Sequence, residues 1–165
     1  MGGRYRYLLE HSIAGEDLEA LRSGLEDEQG FRLHELVGRE PLEQMLAEGE
    51  LNIDTSVTDR FFAFGPAIEI ISVYLPEYVI GVEVAETLDH GLNRRRIECY
   101  RYIGRRGELV TVPLEYALSL DREVVPGTED LPRLREMWHE LPTWARVAYK
   151  QTYVVELGDL DAGPA

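Results

Sequence analysis

The sequence has one cysteine, one lysine and no long apolar run, and each scarcity excludes a class of protein. Cys99 alone cannot form an intrachain disulfide or a cysteine zinc cluster, so we expect it to be a small core residue. The longest apolar stretches, residues 67–75 and 78–85, contain Glu69 and Glu83 and fall short of the roughly 20 apolar residues that a membrane span needs. The N-terminus lacks the apolar region of a signal peptide. We therefore expect a cytoplasmic protein without a membrane-spanning segment.

Complete catalytic and metal-binding motifs are also missing. The sequence has no P-loop, no dinucleotide-binding glycine motif and no nucleophile elbow. His34 and Glu35 begin like a zinc-protease motif, but Gly38 stands where the second histidine belongs. Asp89 and His90 could act as an acid–base pair, although a turn explains the same residues. We predict no catalytic residue, no metal site and no cofactor, which argues against an enzyme.

Charge is abundant but unevenly distributed. The formal net charge is -14, and residues 10–50 hold twelve acids against three arginines. Residues 94–106 instead hold six arginines against one glutamate. An acidic body repels nucleic acid and membrane surfaces and steers a basic protein partner towards it. The simpler interpretation is a solvated acidic face that confers solubility.

The hydrophobic content of 44% over 165 residues favours one domain, residues 1–157, followed by a flexible tail, residues 158–165. Helical spacing or capping residues predict helices near residues 14–24, 41–49 and 128–141, with further helical turns at 144–148. Alternation or β-branched content predicts strands at 4–9, 67–75, 78–86, 94–105, 108–120 and 152–157. Residues 31–37 fit either the alternation of a strand or a turn of helix, and we favour the strand. These elements predict an α+β fold, with an antiparallel sheet of about five or six strands built from two long hairpins and helices packed on one face.

The hairpin of residues 94–120 permits a prediction of register. With Arg105 and Arg106 at its tip, Arg101 faces Val110 and points inward with the core residues of the second strand. An inward arginine implies a buried acid, a ligand or a β-bulge. Pro113 indicates that the second strand lies at a sheet edge or carries a bulge.

The same hairpin supplies the candidate binding residues, because guanidinium groups hold phosphates and tyrosines stack on bases or partner side chains. They are Arg94, Arg96, Tyr100, Arg101, Tyr102, Arg105, Arg106 and the nearby His90. The favoured hypothesis is an acidic partner-binding protein, of the small inhibitor, immunity or accessory-subunit type, that docks a protein by charge complementarity. The alternative is an enzyme or receptor for a small phosphate-bearing ligand held by the hairpin, and RNA binding ranks lower. If the arginines instead pair with acids of the same chain, the hairpin has no binding role.

Overall fold

The structure is a computed structural model, and it describes residues 3–56, 64–89, 91, 94–119 and 131–153. These residues form strands and helices in alternating groups. The strands are β1 (Gly3–Leu9), β2 (Asn52–Ser56), β3 (Tyr78–Asp89), β4 (Arg94–Arg105) and β5 (Glu108–Ser119). The helices are α1 (Gly15–Gly24), α2 (Glu28–Val37), α3 (Arg39–Glu48), α4 (Phe64–Val73), α5 (Leu131–Trp138) and α6 (Thr143–Thr152).

The five strands form one antiparallel sheet in the order β2-β1-β3-β4-β5. This arrangement confirms the predicted α+β class and the antiparallel sheet. Strands β3, β4 and β5 follow one another as two hairpins and occupy one half of the strand order. Strand β1 pairs with the edge of β3 that β4 leaves open. The N-terminal strand therefore lies inside the sheet, between β2 and β3.

Helices cover both faces of the sheet, whereas one covered face was expected. Helices α1–α4 pack on the face that carries Tyr7, Leu9 and Val79, which we call the first face. Helices α5 and α6 pack on the opposite face, which carries Ile80 and Val82 and which we call the second face. Since neighbouring side chains of a strand point to opposite faces, a strand covered on both sides buries consecutive apolar residues. The start of β3 shows this pattern.

Two segments predicted as strands are helices. Residues 67–75, expected to pair with residues 78–86, instead form most of α4, and β3 pairs with β1 and β4. Residues 31–37 lie in α2, which begins after Asp27, whose carboxylate accepts a 2.9 Å hydrogen bond from the Gln29 backbone N–H. That capping bond satisfies one of the amides left unpaired at a helix start.

The hairpin of β4 and β5 is confirmed, but its register differs from the expected one by two residues. The turn is Arg106-Gly107, with φ angles of 49° and 83°. Positive φ at both positions is the geometry of a two-residue type I′ turn. Arg101 consequently pairs with Val112, and because the shift is even, the described side chains of β4 keep their predicted faces. Pro113 lies on β5 at the sheet edge, as predicted.

The remaining predicted elements are confirmed where they are described. Strand β1 and helices α1 and α3 lie at their predicted positions, and α5 and α6 occupy the described parts of the two C-terminal helical predictions. Helix α6 extends to Thr152, where the last strand was predicted to begin, and residues 154–165 lie outside the described residues. Among the helices of the described chain, none has the length and apolar content needed to cross a bilayer.

Candidate functional site

The predicted binding residues do not share one surface. Alternation along β4 places Arg96, Tyr100 and Tyr102 on the first face and Arg101 and Arg105 on the second face, while Arg106 lies in the turn. Arg94 pairs in the ladder with Asp89, and His90 lies outside the described residues. A single pocket therefore cannot be lined by Arg101 together with the arginine and tyrosines of the first face.

On the first face, Arg96 and Tyr100 both bind Glu98. The Arg96 Nη2 atom lies 3.0 Å from Glu98 Oε1, and the Tyr100 hydroxyl donates to Glu98 Oε2 at 3.4 Å. The carboxylate neutralises the guanidinium and occupies donors that an anionic ligand would need. This is the pairing expected if the hairpin arginines bind acids of their own chain.

Tyr102 contributes its ring to the core beneath α4. Its ring centroid lies 6.1 Å from that of Phe64 in an edge-to-face arrangement, and 6.3 Å from that of Tyr100 in a stacked one. Both distances lie in the range of favourable aromatic pairs. Packing thus uses the aromatic surface that the sequence suggested for stacking on a ligand.

Arg101 is buried on the second face, 7% exposed, and connects the sheet to α6. Its Nη1 atom donates a 2.6 Å hydrogen bond to the Tyr149 hydroxyl, and its guanidinium carbon lies 3.9 Å from the centroid of the Tyr153 ring. Desolvated cation–π contacts of this kind contribute about 2 kcal/mol. The Tyr153 hydroxyl in turn donates to Glu10 at 3.0 Å. The β4 ladder is continuous, which excludes the bulge that was one of the three alternatives for an inward Arg101.

The tip of the hairpin contacts helices on both faces. The Arg105 guanidinium carbon lies 5.8 Å from the Trp144 ring of α6. On the other side, the backbone N–H of Gly107 donates to the Ser72 hydroxyl of α4 at 3.0 Å. Arg106 is exposed at the turn. The tip is therefore held in place by α4 and α6.

The sequence interpretation missed one buried acid, Glu83. It lies on the first face in the middle of β3, is 5% exposed, and pairs across the sheet with Tyr7 and Tyr100. A carboxylate is costly to bury unless neighbouring groups compensate its charge or bind its oxygens. The sequence signal for this acid is that Glu83 interrupts an otherwise apolar run, residues 78–85.

Two cavities near β1 are lined by other residues. One of about 290 Å³ lies beside Arg6, Leu8 and Asn52, and one of about 100 Å³ lies beside His11 and Asp17. Small-molecule sites usually measure about 300–1,000 Å³. Among the predicted binding residues whose side chains the structure describes, none lines either cavity. In the described part of the chain, no group of three or more histidine, cysteine or acidic side chains is placed to hold a metal ion.

An acidic helical surface covers α1–α3 and the segments that join and follow them. It is defined by eleven exposed carboxylates: Glu16, Asp17, Glu19, Glu26, Asp27, Glu28, Glu35, Glu40, Glu43, Glu48 and Glu50. The same region carries only Arg22, Arg32 and Arg39. Arg22 lies 2.7 Å from Glu19 and Arg39 lies 3.0 Å from Glu43. The surface therefore keeps a large negative excess after these pairings.

Replacing Tyr153 by phenylalanine is expected to reduce the loss of stability at alkaline pH. Burial raises the pKa of the Tyr153 hydroxyl above its usual value of 10.0. A group whose pKa is raised by folding contributes stability that is fully present below the pKa it has in the unfolded chain. That stability is lost as the pH rises above this pKa, by up to about 1.4 kcal/mol per pH unit. Urea unfolding at several pH values from about 9 to about 11 would measure the slope. Tyr5→Phe is the control, and equal slopes for wild type and Tyr153→Phe would contradict the prediction.

The described residues thus present a paired cluster on the first face, a buried arginine on the second and an extended acidic helical surface. Of these three, the acidic helical surface combines exposure with a large net charge. No protein-family model matches the chain, and comparisons with curated proteins and with solved structures found no match.

Proposed function

We propose that this protein binds a basic protein partner through the acidic helical surface, as small inhibitors, immunity proteins and accessory subunits do. The observation that carries the proposal is the concentration of eleven exposed carboxylates on α1–α3 and the segments that join and follow them, against three arginines of which two are paired within their own helix. Such a field accelerates encounter with a surface of opposite charge and disfavours acidic partners.

The arrangement of the hairpin supports partner binding over the alternative of a small anionic ligand. Arg96 is paired with Glu98, and Arg101 is enclosed by Tyr149 and Tyr153. These two described positive groups are thus already engaged, and they lie on opposite faces of the sheet. RNA binding has less support still, because counterion release favours domains of net positive charge and this chain carries -14.

The proposal predicts that neutralising the acidic helical surface slows association. The variant Glu16→Gln, Glu35→Gln, Glu48→Gln removes one exposed carboxylate from each of α1, α2 and α3. Binding of a basic protein, isolated by affinity capture on the wild-type chain at low salt, is followed by surface plasmon resonance. We expect the association rate constant to fall by about tenfold, and its dependence on salt to weaken, since steering depends on long-range charge.

The matched control removes three exposed carboxylates elsewhere: Glu77→Gln, Glu136→Gln, Glu140→Gln. It has the same net charge as the test variant but an intact acidic helical surface. Equal association rate constants for the two variants would contradict the location of the site. Failure of the wild-type chain to capture any basic protein would contradict the proposed function itself.

A further inference from the structure

The side chain of Phe31 is the most exposed of the large hydrophobic residues in the described part of the chain. It is 68% exposed, whereas the buried side of α2 consists of Gly30, Leu33 and Val37. Helix α2 thus has an ordinary apolar face towards the core and one additional aromatic residue outside it. A phenylalanine exposed to water forgoes most of the roughly 1.5–3 kcal/mol that full burial would contribute to the isolated fold.

The surroundings of Phe31 are acidic. Residues three and four positions apart are neighbours on a helix surface, and at those positions Phe31 has Asp27, Glu28 and Glu35, all exposed. The fourth neighbour, His34, stacks against the phenyl ring, with 6.5 Å between ring centroids and 24° between ring planes. The stacking restricts the ring before any partner arrives, which lowers the entropy cost of holding it in one position.

We propose that Phe31 is the anchor residue of the interface, inserting into an apolar pocket of the basic partner whose rim carries lysine or arginine. This inference rests on the proposed function. Hot-spot residues are typically aromatic groups at the centre of an interface, enclosed by contacts that exclude water. Here three of the four helical neighbours are carboxylates, so the complementary rim is cationic. A second copy of this chain would bring the same carboxylates together and is disfavoured by repulsion.

The phenyl ring and the carboxylates are expected to affect different rate constants, so kinetic measurements can separate their contributions. The charges act over long distances and control the association rate, whereas an inserted ring acts only after contact and controls the dissociation rate. Phe31→Ser should therefore raise the dissociation rate constant of the captured basic protein by about 30-fold, the effect of a hot-spot residue, while the association rate constant stays near the wild-type value. Phe31→Tyr, which keeps an aromatic ring, should retain most of the affinity.

The matched control is Val147→Ser on α6. Val147 is 45% exposed, and its helical neighbours are Thr143, Trp144, Lys150 and Gln151, none of them acidic. It therefore tests the loss of an exposed apolar residue without an acidic rim. Circular dichroism of both serine variants confirms that the fold is unchanged, and we expect Val147→Ser to bind like the wild type.

The outcomes separate this inference from the proposed function. The captured basic protein could dissociate from Phe31→Ser and Val147→Ser at the wild-type rate while associating slowly with the variant that lacks three carboxylates on α1–α3. That result would overturn the role of Phe31 as the anchor residue and leave the proposed function standing. If no basic protein binds the wild-type chain, both fail. If sedimentation of the purified chain shows a dimer that Phe31→Ser dissociates, the ring contacts a second copy and the proposed partner is overturned. If the wild-type chain bound RNA and Phe31→Ser did not, the proposed protein partner would likewise be overturned.

Discussion

Trp138→Ala is expected to lower the free energy of unfolding by about 3–5 kcal/mol, the cost of removing a large aromatic side chain from a packed core. Trp138 is fully buried on the second face, and its ring meets that of Tyr149 edge to face, with 5.7 Å between centroids. Small domains have about 5–15 kcal/mol of stability in total, so the variant should lose a large part of it. Urea denaturation followed by circular dichroism measures the change.

The neighbouring tryptophan provides the control. Trp144 is half-buried near the hairpin tip, where its ring lies 5.8 Å from the Arg105 guanidinium carbon. Trp144→Ala leaves a smaller cavity and should cost about 1–2 kcal/mol. Equal losses for the two variants would contradict the conclusion that α5 and α6 form a tightly packed layer on the second face.

Gly49→Ala should cost about 3 kcal/mol, because the backbone there excludes any side chain. Gly49 ends α3 in a left-handed conformation with φ of 75°, and an added Cβ would lie 1.7 Å from the Ile13 carbonyl oxygen. The Gly49 carbonyl also accepts a 2.7 Å hydrogen bond from the Ile13 N–H, so the two segments cannot separate without losing it. The clash adds an overpacking cost of about 1–3 kcal/mol to a left-handed penalty of about 1–2 kcal/mol.

Gly15→Ala separates the cost of the left-handed backbone conformation from the cost of the clash. Gly15 has a similar positive φ of 59°, but an added Cβ there would meet nothing within 4 Å. It should therefore carry only the left-handed penalty, about 1 kcal/mol. Thermal unfolding of both variants gives the comparison. A Gly49→Ala variant as stable as Gly15→Ala would show that the α3 end and the β1–α1 connection move apart freely.

Local patterns predicted the elements whose burial is one-sided. Strand β1 and helix α1 bury one face each, so their alternation or helical spacing is visible in the sequence. Helix α4 buries seven of its ten residues, including Ile68, Ile70 and Ile71, and Glu69 is the one charged residue on its narrow exposed side, so the sequence gives only a faint helical pattern. The β-branched isoleucines favour a strand by intrinsic propensity, and packing overrides that preference. The sequence alone could not show that packing.

The strand predicted for residues 31–37 concealed the exposure of Phe31, on which the proposed interface depends. An alternating pattern placed Phe31 inside a strand together with Leu33 and Val37. In the helix, Leu33 and Val37 share the buried side while Phe31 points to solvent. The cap at Asp27 was the available signal for a helix, since an aspartate before a helix is a common start. Phe31 can be recognised as exposed only when residues 31–37 are assigned the 3.6-residue period of a helix rather than the two-residue period of a strand.

Within β4, the sequence correctly separated Arg101 from the face of Arg96, Tyr100 and Tyr102, but it could not show what these side chains contact. Register alone placed Arg101 inward, and the structure gives it Tyr149 and Tyr153 as neighbours. Tyr149 lies on α6 and Tyr153 directly follows that helix, about fifty positions from Arg101 in sequence, and no local pattern links them to β4. The acidic helical surface was visible from composition alone, because surface charge requires no tertiary packing to be counted.

The position of β1 inside the sheet has a consequence for the order of folding. During synthesis β1 precedes its partner β3 by about 70 residues, which corresponds to several seconds at about 5–20 residues per second. Its other partner, β2, follows after about 40 residues and brings α1–α3 with it. The core that joins Tyr7 and Ile53 to these helices can thus form while β3 is still unmade. Until β3 arrives, however, one edge of β1 presents unpaired amides and carbonyls to other nascent chains, a source of misassembly that the completed sheet removes.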